Sequence, residues 1–363
     1  MNTYEYIKKE IQLMKKSAPE ITVFFVVNVA GKTDIQDYNN VEQSILTEYL
    51  TEEEYDTMIN ALKISGFKVR VFYNEVQFIN FITENARTLD LANIIVFNLA
   101  RNGKGLNKKA LIPSFCQLYG IKITGSDAYH VCLGRHKYHV NCILSSKNIP
   151  VPKTWCYTRN GWLLNDPPST STRLIIKPAF ESASRGINNA SIILYTYAKE
   201  QQIQKLQSEF EQDILVQEFI SGYEVQVPVI KLNGKYRALM TVGIDMDGSP
   251  LLNDKVITYN IAYDETYNFY NFADINGALA KQLMENAESA CAILGLNHYG
   301  RFDFRITPDG FFYITDISTH PFLIRHSAFA FMFSFLGLKY EDIFLLLIRL
   351  ILNDGGENIE DRT

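Results

Sequence analysis

The chain has 363 residues, 47% of them hydrophobic and 21% charged, a composition typical of a folded protein with two or three packed lobes. Its formal net charge of −5 offers no basic surface for nucleic acid or an anionic membrane, so small molecules are the expected partners. The five cysteines lack disulfide spacing and the polar start lacks the apolar core of a signal peptide, which together favour a cytoplasmic protein.

The first third alternates short β-branched runs with amphipathic helical patterns, which is typical of an α/β layer on a parallel sheet. The strand candidates are Ile21–Val27, Lys68–Phe72, Ile94–Asn98 and Ile121–Thr124. Thr51 and Glu54 have capping-box spacing, which predicts a helix from Glu52 to about Ile64. Gly125-Ser126-Asp127 then indicates a loop and a helix start, so we expect a first domain over residues 1–126.

Two hairpin signals in the C-terminal half predict antiparallel strands. Asn233-Gly234, the strongest short hairpin signal, separates Glu224–Leu232 from Lys235–Met240. A second hairpin is predicted to join Arg301–Ile306 to Phe311–Ser318 across residues 308–310.

Two apolar stretches are predicted to be helical. Gly277–Leu294 spaces its apolar residues as one helix that ends at Gly295. Ser327–Leu352 is the most apolar region, but Gly337 and four charged residues interrupt it. We therefore expect two core helices there in place of a membrane span.

The second hairpin places its charged residues on one face, because side chains alternate along a strand. If Asp309-Gly310 forms a two-residue turn, Asp303 lies across from Asp316, and a four-residue loop keeps both on the same face. Facing carboxylates repel unless a cation neutralises them, and Mg²⁺ prefers oxygen ligands. Ser318 would add a third oxygen. A solvated acidic hairpin is the alternative that the hairpin alone leaves open.

A buried strand, Leu174–Lys177, ends in a lysine, which seldom happens without a partner. The loop behind it, Phe180–Gly186, contains small residues whose backbone N–H groups are suited to bind phosphate beside Lys177. A lysine that leads into a surface turn is the alternative. The chain has no G-x-x-x-x-G-K-[ST] and no G-x-G-x-x-G sequence, so P-loop and Rossmann sites lose their main support.

In order and spacing, these segments resemble the ATP-grasp superfamily, specifically its D-alanine–D-alanine ligase branch, over about residues 90–352. Residues 119–126, YGIKITGS, are similar to the end of the family's first domain, and Asn148–Pro152 resembles a later strand. The resemblance places Lys137 and Lys177 on two phosphate-contacting lysines. It places the loop that closes over the triphosphate on Ser182, Ala183, Ser184 and Gly186.

The resemblance also implies an adenine hinge, a metal site and an acceptor pocket. The hinge falls on Gln217, Glu218, Phe219 and Ile220, with Glu224 on the ribose-binding carboxylate. Arg301 falls on the family's catalytic arginine, and Asp303, Asp316 and Ser318 fall on its metal site. Ser327 falls where the family binds the acceptor's carboxylate, and Phe322 and His320 are expected at the same pocket.

The implied architecture is an ATP-grasp fold of mixed α/β and α+β class with three lobes, residues 1–126, 127–216 and 217–363, and ATP between the last two. The implied activity is that of an ATP-dependent, ADP-forming carbon–nitrogen ligase with Mg²⁺. A carboxylate attacks the γ-phosphate, and an amine captures the acyl-phosphate. Lys137 and Lys177 would offset phosphate charge while Arg301 stabilises the oxyanion. The partners are then a small carboxylate and an amine, and a homodimer is left open.

Departures from the family point to a substrate pair other than D-alanine. Asn28–Lys32 does not reproduce the glycine-rich segment with a substrate-binding glutamate, and Ser182–Ser184 replaces Gly-Ser-Ser. Phe322 replaces a glycine and would crowd a small acceptor pocket. Asp316-x-Ser318 replaces Glu-x-Asn at the metal site. These changes keep two alternatives open: a catalytically impaired nucleotide-binding regulatory relative, and an ATP-grasp kinase.

Two cysteines and two histidines lie close enough in sequence to suggest zinc, namely Cys132, His136, His139 and Cys142. We expect one helix to run through them. The best explanation of that helix is that it positions Lys137 near the phosphates, and not that it binds a metal ion.

Overall fold

The computed structural model describes residues 2–34, 48–102 and 107–354. Within these ranges the strands form three sheets, built in turn from residues 22–123, 154–218 and 223–318.

The first sheet is parallel, with strand order β2-β1-β3-β4 and helices on both faces. Phe25 and Phe97 pack toward α1 and α2, whereas Phe24 and Val96 pack toward α3 and α4. The predicted parallel α/β layer is confirmed. Its elements are α1 (Thr3–Ser17), β1 (Thr22–Val26), α2 (Glu52–Ile64), β2 (Lys68–Phe72), α3 (Glu75–Asn85), β3 (Ile94–Asn98), α4 (Leu111–Tyr119) and β4 (Lys122–Ile123).

Helix α2 begins and ends at the predicted residues. The Thr51 hydroxyl accepts a hydrogen bond from the Glu54 N–H at 3.2 Å, and the Glu54 carboxylate accepts one from the Thr51 N–H at 2.6 Å. This capping box satisfies two helix N–H groups that have no partner inside the helix.

Two helices and an antiparallel sheet follow, with strand order β6-β5-β9-β7-β8. Trp155, Leu174 and Val216 on one face of this sheet pack in a core with Ile203 of α7. The elements are α5 (Ala128–Arg135), α6 (Lys137–Ser146), β5 (Thr154–Thr158), β6 (Gly161–Trp162), β7 (Arg173–Pro178), β8 (Ile192–Leu194), α7 (Glu200–Phe210) and β9 (Ile214–Glu218).

The expectation of one helix through Cys132 and Cys142 is wrong, because the chain breaks at His136. That residue has a ψ of 80°, outside the helical range, and its Nδ1 accepts a hydrogen bond from the His139 N–H at 3.4 Å to cap α6. Lys137 is therefore the first residue of a new helix. In the described part of the chain, no three His, Cys, Asp or Glu side chains gather as a metal site.

The third sheet is antiparallel, with strand order β13-β12-β10-β14-β15 and β11 paired to β10. Both predicted hairpins are present, and α9 has the predicted bounds with Gly295 at its C-terminal cap. The elements are β10 (Tyr223–Leu232), β11 (Lys235–Ala238), β12 (Val242–Asp245), α8 (Tyr259–Tyr263), β13 (Asn268–Asn271), α9 (Gly277–Leu294), β14 (Tyr299–Ile306) and β15 (Phe312–Ser318).

The second hairpin reaches the predicted pairing of Asp303 with Asp316 by another route. The Thr307 N–H bonds the Phe311 carbonyl at 2.8 Å, so the loop has three residues and not two or four. An odd loop alone would place the two aspartates on opposite faces. A β-bulge at Thr315 adds one residue to β15 and restores their common face.

The apolar C-terminal region forms the two predicted core helices, α10 (Ala328–Phe335) and α11 (Tyr340–Asp354). Leu345 and Ile348 are fully buried, and Arg349 donates to the buried carboxylate of Glu10 on α1 at 2.8 Å. Among the described residues, no helix has both the length and the apolarity that a membrane crossing requires.

Gly222 joins the predicted hinge to β10, and its φ of +145° is a conformation that L side chains rarely adopt. A Cβ at this position would lie 1.8 Å from the carbonyl oxygen of Ile306. We expect Gly222→Ala to lower the free energy of unfolding by about 2–4 kcal/mol in urea titrations. Gly234→Ala is the matched control, since its φ is also positive but no atom lies within 4 Å of the added Cβ. Equal losses in the two variants would contradict the steric argument.

Candidate active site

A cavity separates the second and third sheets, and both contribute its walls. β7 provides Ile175 and Lys177, and residues 217–220 follow at the end of β9. The third sheet provides the charged face of β14, because Phe302 and Phe304 turn inward to pack against α9. Alternation along one strand thus directs Arg301 and its neighbours into the cavity.

Asp303 and Asp316 are directly paired across β14 and β15. Asp303 accepts from Arg301 Nε at 2.7 Å and Nη2 at 2.8 Å, while Asp316 accepts from Lys137 Nζ at 2.9 and 3.1 Å. Burial would raise the pKa of Asp316, but Lys137 and Lys177 outweigh burial and lower it. The carboxylate of Asp316 is therefore held in its ionised form.

This pair fits a hard divalent cation. Two carboxylates on one face offer the oxygen donors that Mg²⁺ prefers, and each is paired with one cationic side chain. A bound Mg²⁺ would take over that charge compensation and leave Lys137 and Arg301 for other anions. Ser318, the expected third ligand, lies opposite Arg301 in the strand pairing, but it lines a small neighbouring cavity.

Lys177 is 6% exposed, and its Nζ donates to the Thr315 carbonyl at 3.0 Å. The bulge residue Thr315 therefore brings Asp303 and Asp316 to one face and also holds Lys177 in position. Burial lowers the pKa of Lys177 to about 8, although the nearby carboxylate of Asp316 counteracts the shift.

We expect the pH profile of kcat/KM for ATP to reflect Lys177. The ammonium form, which attracts phosphate, dominates below the pKa of about 8 and is lost above it. The rate should therefore fall by up to about tenfold per pH unit on the alkaline side. Lys177→Arg, which stays charged, should remove this decline even if its rate is lower. A wild-type profile that stays flat to about pH 10 would contradict the assignment.

The predicted hinge is fastened by Arg305, a residue that the sequence analysis did not assign to the site. Its Nε donates to the Ile220 carbonyl at 2.9 Å, and its Nη1 donates to Glu224 at 3.1 Å and to the Lys255 carbonyl at 3.2 Å. Burial raises the pKa of Glu224, and Arg305 opposes that shift. The alternating charges of β14 were the available signal, since Arg305 shares a face with Asp303.

Two of the three predicted acceptor residues, Phe322 and Ser327, line the same cavity. Ser327 caps α10, accepting from the Ala330 N–H at 3.2 Å and donating to the Ile324 carbonyl at 2.7 Å. The guanidinium of Arg101 lies 4.0 Å from the ring centre of Phe322. Arg101 is 4% exposed and is not a lining residue, so Phe322 is the member of this stack that contributes to the cavity wall.

The segment before α2 and its first turn also line the cavity, through Tyr49, Thr51 and Glu54. Sequence analysis missed this contribution, because no local pattern reports a contact between segments so far apart in the chain. His326, which lies 4.7 Å from Tyr267 and 4.9 Å from Phe269 between ring centres, is a further lining residue.

Most of the predicted site residues come together at this cavity. Those that line it are Lys177, Ala183, Ser184, Gln217, Glu218, Phe219, Ile220, Glu224, Arg301, Asp303, Asp316, Phe322 and Ser327. Four others, Lys137, Ser182, Ser318 and His320, line the small neighbouring cavity, and Gly186 lines a separate groove. His320 packs against Gly125, where an added Cβ would lie 2.6 Å from its Nε2.

A cleft between two sheets, lined by the buried Lys177, the carboxylate pair and residues 217–220, is the arrangement of a nucleotide-dependent enzyme of the ATP-grasp class. Comparison with known proteins supports this classification. Residues 143–349, more than half of the chain, match the family model described as D-ala D-ala ligase C-terminus. The chain belongs to this family.

Curated relatives and solved structures give the same picture. The D-alanine–D-alanine ligase of Pseudomonas fluorescens Pf0-1 is 23% identical over 272 residues, 74% of this chain and 77% of the relative. That of Bordetella pertussis Tohama I is 24% identical over 237 residues, 64% of this chain and 71% of the relative.

The structure of D-alanine–D-alanine ligase from Bacillus anthracis complexed with ATP superimposes with a TM-score of 0.66 at 15% identity, covering 92% of this chain and 98% of that one. VanG D-Ala:D-Ser ligase from Enterococcus faecalis gives 0.65 at 18% identity, covering 91% and 99%. The predicted family, ATP-grasp fold and enzyme class are thus confirmed. The protein is an ATP-dependent, ADP-forming carbon–nitrogen ligase that uses ATP and Mg²⁺ with small-molecule substrates.

Proposed function

We propose that this chain joins a small carboxylate to an amine through an acyl-phosphate, with a substrate pair other than two D-alanines. The observation that carries the proposal is the pairing of Asp303 with Asp316 beside Lys177 and Lys137. The relatives named above are D-alanine–D-alanine ligases and a D-Ala:D-Ser ligase, which makes amino acids the first substrates to test.

In the first step, the side chains of this site hold the triphosphate and neutralise it. The hinge residues 217–220 receive adenine, Glu224 receives the ribose, and Lys177 and Lys137 bind phosphate oxygens. Asp303 and Asp316 would hold Mg²⁺, which would supply electrostatic stabilisation of the phosphoryl group. Positioning and charge neutralisation are the main requirements of phosphoryl transfer, so this arrangement is sufficient for attack by a bound carboxylate.

In the second step, the amine attacks the acyl-phosphate, and negative charge develops on the carbonyl oxygen. Arg301 is the donor for that oxyanion, because its guanidinium lines the cavity and is fixed by two hydrogen bonds to Asp303. Ser327, at the start of α10, is placed to bind an anionic group of the acceptor.

Two observations support a substrate pair other than D-alanine. Asn28, in the segment that lacks the family's glutamate, is 2% exposed, and its amide oxygen accepts from the Arg101 N–H at 2.6 Å. It therefore has a structural role and does not offer a carboxylate to the cavity. The ring of Phe322, which stacks on Arg101, takes up space in the cavity wall where the resemblance places a glycine.

Hydroxylamine trapping tests the acyl-phosphate. The chain is incubated with Mg²⁺, ATP and pooled carboxylates, and hydroxamate is measured by its iron complex. A hydroxamate that requires both ATP and a carboxylate is expected. Phosphorylation of a hydroxyl compound without hydroxamate would favour the kinase alternative, and tight ATP binding without any product would favour the regulatory one.

We expect Glu224→Ala to weaken ATP binding before it affects chemistry, because its proposed partner is the ribose and not the reacting phosphate. The loss of one charge-assisted hydrogen bond should raise the Kd for ATP by about tenfold while kcat falls less. Glu84→Ala, at an exposed position on α3, is the control. A selective loss of acceptor affinity would contradict the placement of the hinge.

We further propose a cytoplasmic location and no nucleic-acid partner. The net charge of −5 and the five cysteines, all free in the structure, support both statements. The homodimer left open by the sequence stays a prediction, and sedimentation velocity would test it.

A further inference from the structure

A cluster of buried charges lies beside the metal pair, outside the main cavity. Lys108, Lys109 and Arg135 are 4%, 9% and 6% exposed. Lys108 Nζ lies 2.7 Å from the Glu48 carboxylate and 3.5 Å from that of Glu181, and Lys109 Nζ lies 3.8 Å from Glu48. Three buried basic side chains therefore share two carboxylates, and burial together with the charge of Arg101 lowers the pKa of Lys109 well below its usual value.

The small cavity beside this cluster is here called the basic pocket. Its polar lining consists of Lys109, Arg135, Lys137, Glu181, Ser182, Ser318, Thr319 and His320. Its volume is about 30 Å³. A water molecule needs roughly 10–15 Å³ on this measure, so the basic pocket can admit one carboxylate or the oxygens of one phosphoryl group, but not a whole substrate.

Arg135 leaves hydrogen-bonding capacity unused at this cavity. Its Nη2 donates to the Phe180 carbonyl, but its Nε and Nη1 are buried without a hydrogen-bond partner among residues 2–34, 48–102 and 107–354. A buried donor without an acceptor destabilises a fold by roughly 1–3 kcal/mol, and more when the group is charged. A purely structural ion network would satisfy these donors, so they indicate an external acceptor.

The ionisation of the neighbouring groups agrees with a positive field. Burial, followed by the charges of Lys109 and Arg101, lowers the pKa of His320 to about 3, so this imidazole is neutral. Burial would raise the pKa of Glu48, yet Lys109, Lys108 and Arg101 outweigh burial and lower it to about 2. The Glu48 shift reflects the positive charge of these side chains, whereas the largest cause of the His320 shift is burial.

The basic pocket is continuous with the reacting end of the proposed active site. Lys137 lines it and also binds Asp316, and Ser318 is two residues beyond Asp316 on the same strand. Ser182, which accepts a hydrogen bond from Lys109 Nζ at 2.9 Å, belongs to the loop whose next two residues line the main cavity. An anion in the basic pocket would thus lie beyond the carboxylate pair as seen from the hinge.

We propose that the basic pocket binds an anionic oxygen group at the reacting end of the site, with Arg135 and Lys109 as its principal donors. The group is either the terminal phosphoryl group or a second carboxylate of the donor substrate. The proposal rests on the proposed function, because that function places phosphoryl transfer at Asp303 and Asp316.

Calorimetry on the full chain saturated with Mg²⁺ and ADP tests the proposal. Inorganic phosphate and succinate are titrated separately, with propionate as the anion that has one carboxylate. We expect phosphate or succinate to bind at least about tenfold more tightly than propionate. Tighter binding of phosphate identifies the phosphoryl group, and tighter binding of succinate identifies a donor with two carboxylates.

Substitutions then test whether the anion binds in the basic pocket. Arg135→Gln and Lys109→Gln should each weaken the preferred anion by about tenfold while the affinity for Mg²⁺ and ADP changes by less than about twofold. Arg135→Lys should recover part of the affinity. Arg237→Gln, a half-exposed arginine on β11, is the matched control. Thermal melts identify variants that do not fold. If Arg135→Gln does not fold, the affinity of Lys109→Gln for the anion decides the test.

Two results would overturn the proposal. One is equal binding of all three anions by the wild type, and the other is unchanged affinity for the preferred anion in the Gln variants. In either case, unchanged binding of ADP would show that the nucleotide site itself is correctly assigned. A wild type that does not bind Mg²⁺ and ADP would instead refute the proposed function, and the basic pocket as a part of it.

Discussion

Lys177→Ala is expected to lower kcat by about 100- to 1,000-fold, the usual effect of removing one preorganised electrostatic donor. Lys177 is buried at the carboxyl end of β7, and its Nζ is fixed by the Thr315 carbonyl beside the carboxylate pair. Alanine leaves no cation at this position, and solvent cannot replace it in a buried site. The measurement is ADP release at saturating ATP and Mg²⁺.

The matched control is Lys147→Ala, which removes an exposed lysine at the end of α6. We expect this variant to keep the wild-type rate. Circular dichroism melts should show that Lys177→Ala remains folded. A folded Lys177→Ala variant with a normal rate would remove Lys177 from the site.

Asp303→Asn is expected to have the second largest effect, because it removes a charge from both the metal pair and the arginine clamp. The concentration of Mg²⁺ for half-maximal rate should rise by at least about tenfold, and kcat should fall by about 100-fold. The variant also leaves Arg301 without its ionic partner, which should cost up to about 3 kcal/mol of unfolding free energy. Urea titration and Mg²⁺ titration of the rate measure the two effects separately.

Asp309→Asn is the control on the same hairpin, since Asp309 is exposed in the loop between β14 and β15. It should change neither the Mg²⁺ dependence nor the stability. If Asp303→Asn kept the wild-type Mg²⁺ dependence, the assignment of the metal pair would be wrong, whatever its effect on stability.

Local signals made much of the fold predictable. The capping box at Thr51, the Asn233-Gly234 turn and Gly295 after α9 each act within a few residues, so the sequence contains the whole interaction. The face of β14 was predictable for the same reason, since alternation along one strand directs Arg301 and Asp303 together.

Features that depend on distant contacts were not predictable. The second hairpin combines a bulge at Thr315 with a three-residue loop. The residues Pro308-Asp309-Gly310 alone do not determine the length of that loop. The break at His136 replaces an expected continuous helix. Residues 48–54 meet the second and third sheets only in the folded chain, as do Lys109 and Arg135, so neither the cavity wall nor the basic pocket has a sequence signature.

The most direct test of ligase activity is phosphate release from ATP with Mg²⁺ across pooled L- and D-amino acids and small carboxylates, with products analysed by mass spectrometry. The account predicts phosphate release that depends on a substrate pair, together with a product lighter than the two substrates by one water. Binding of ATP without turnover in any pool would contradict it and favour the regulatory alternative, with Ser318 as the first position to convert to asparagine.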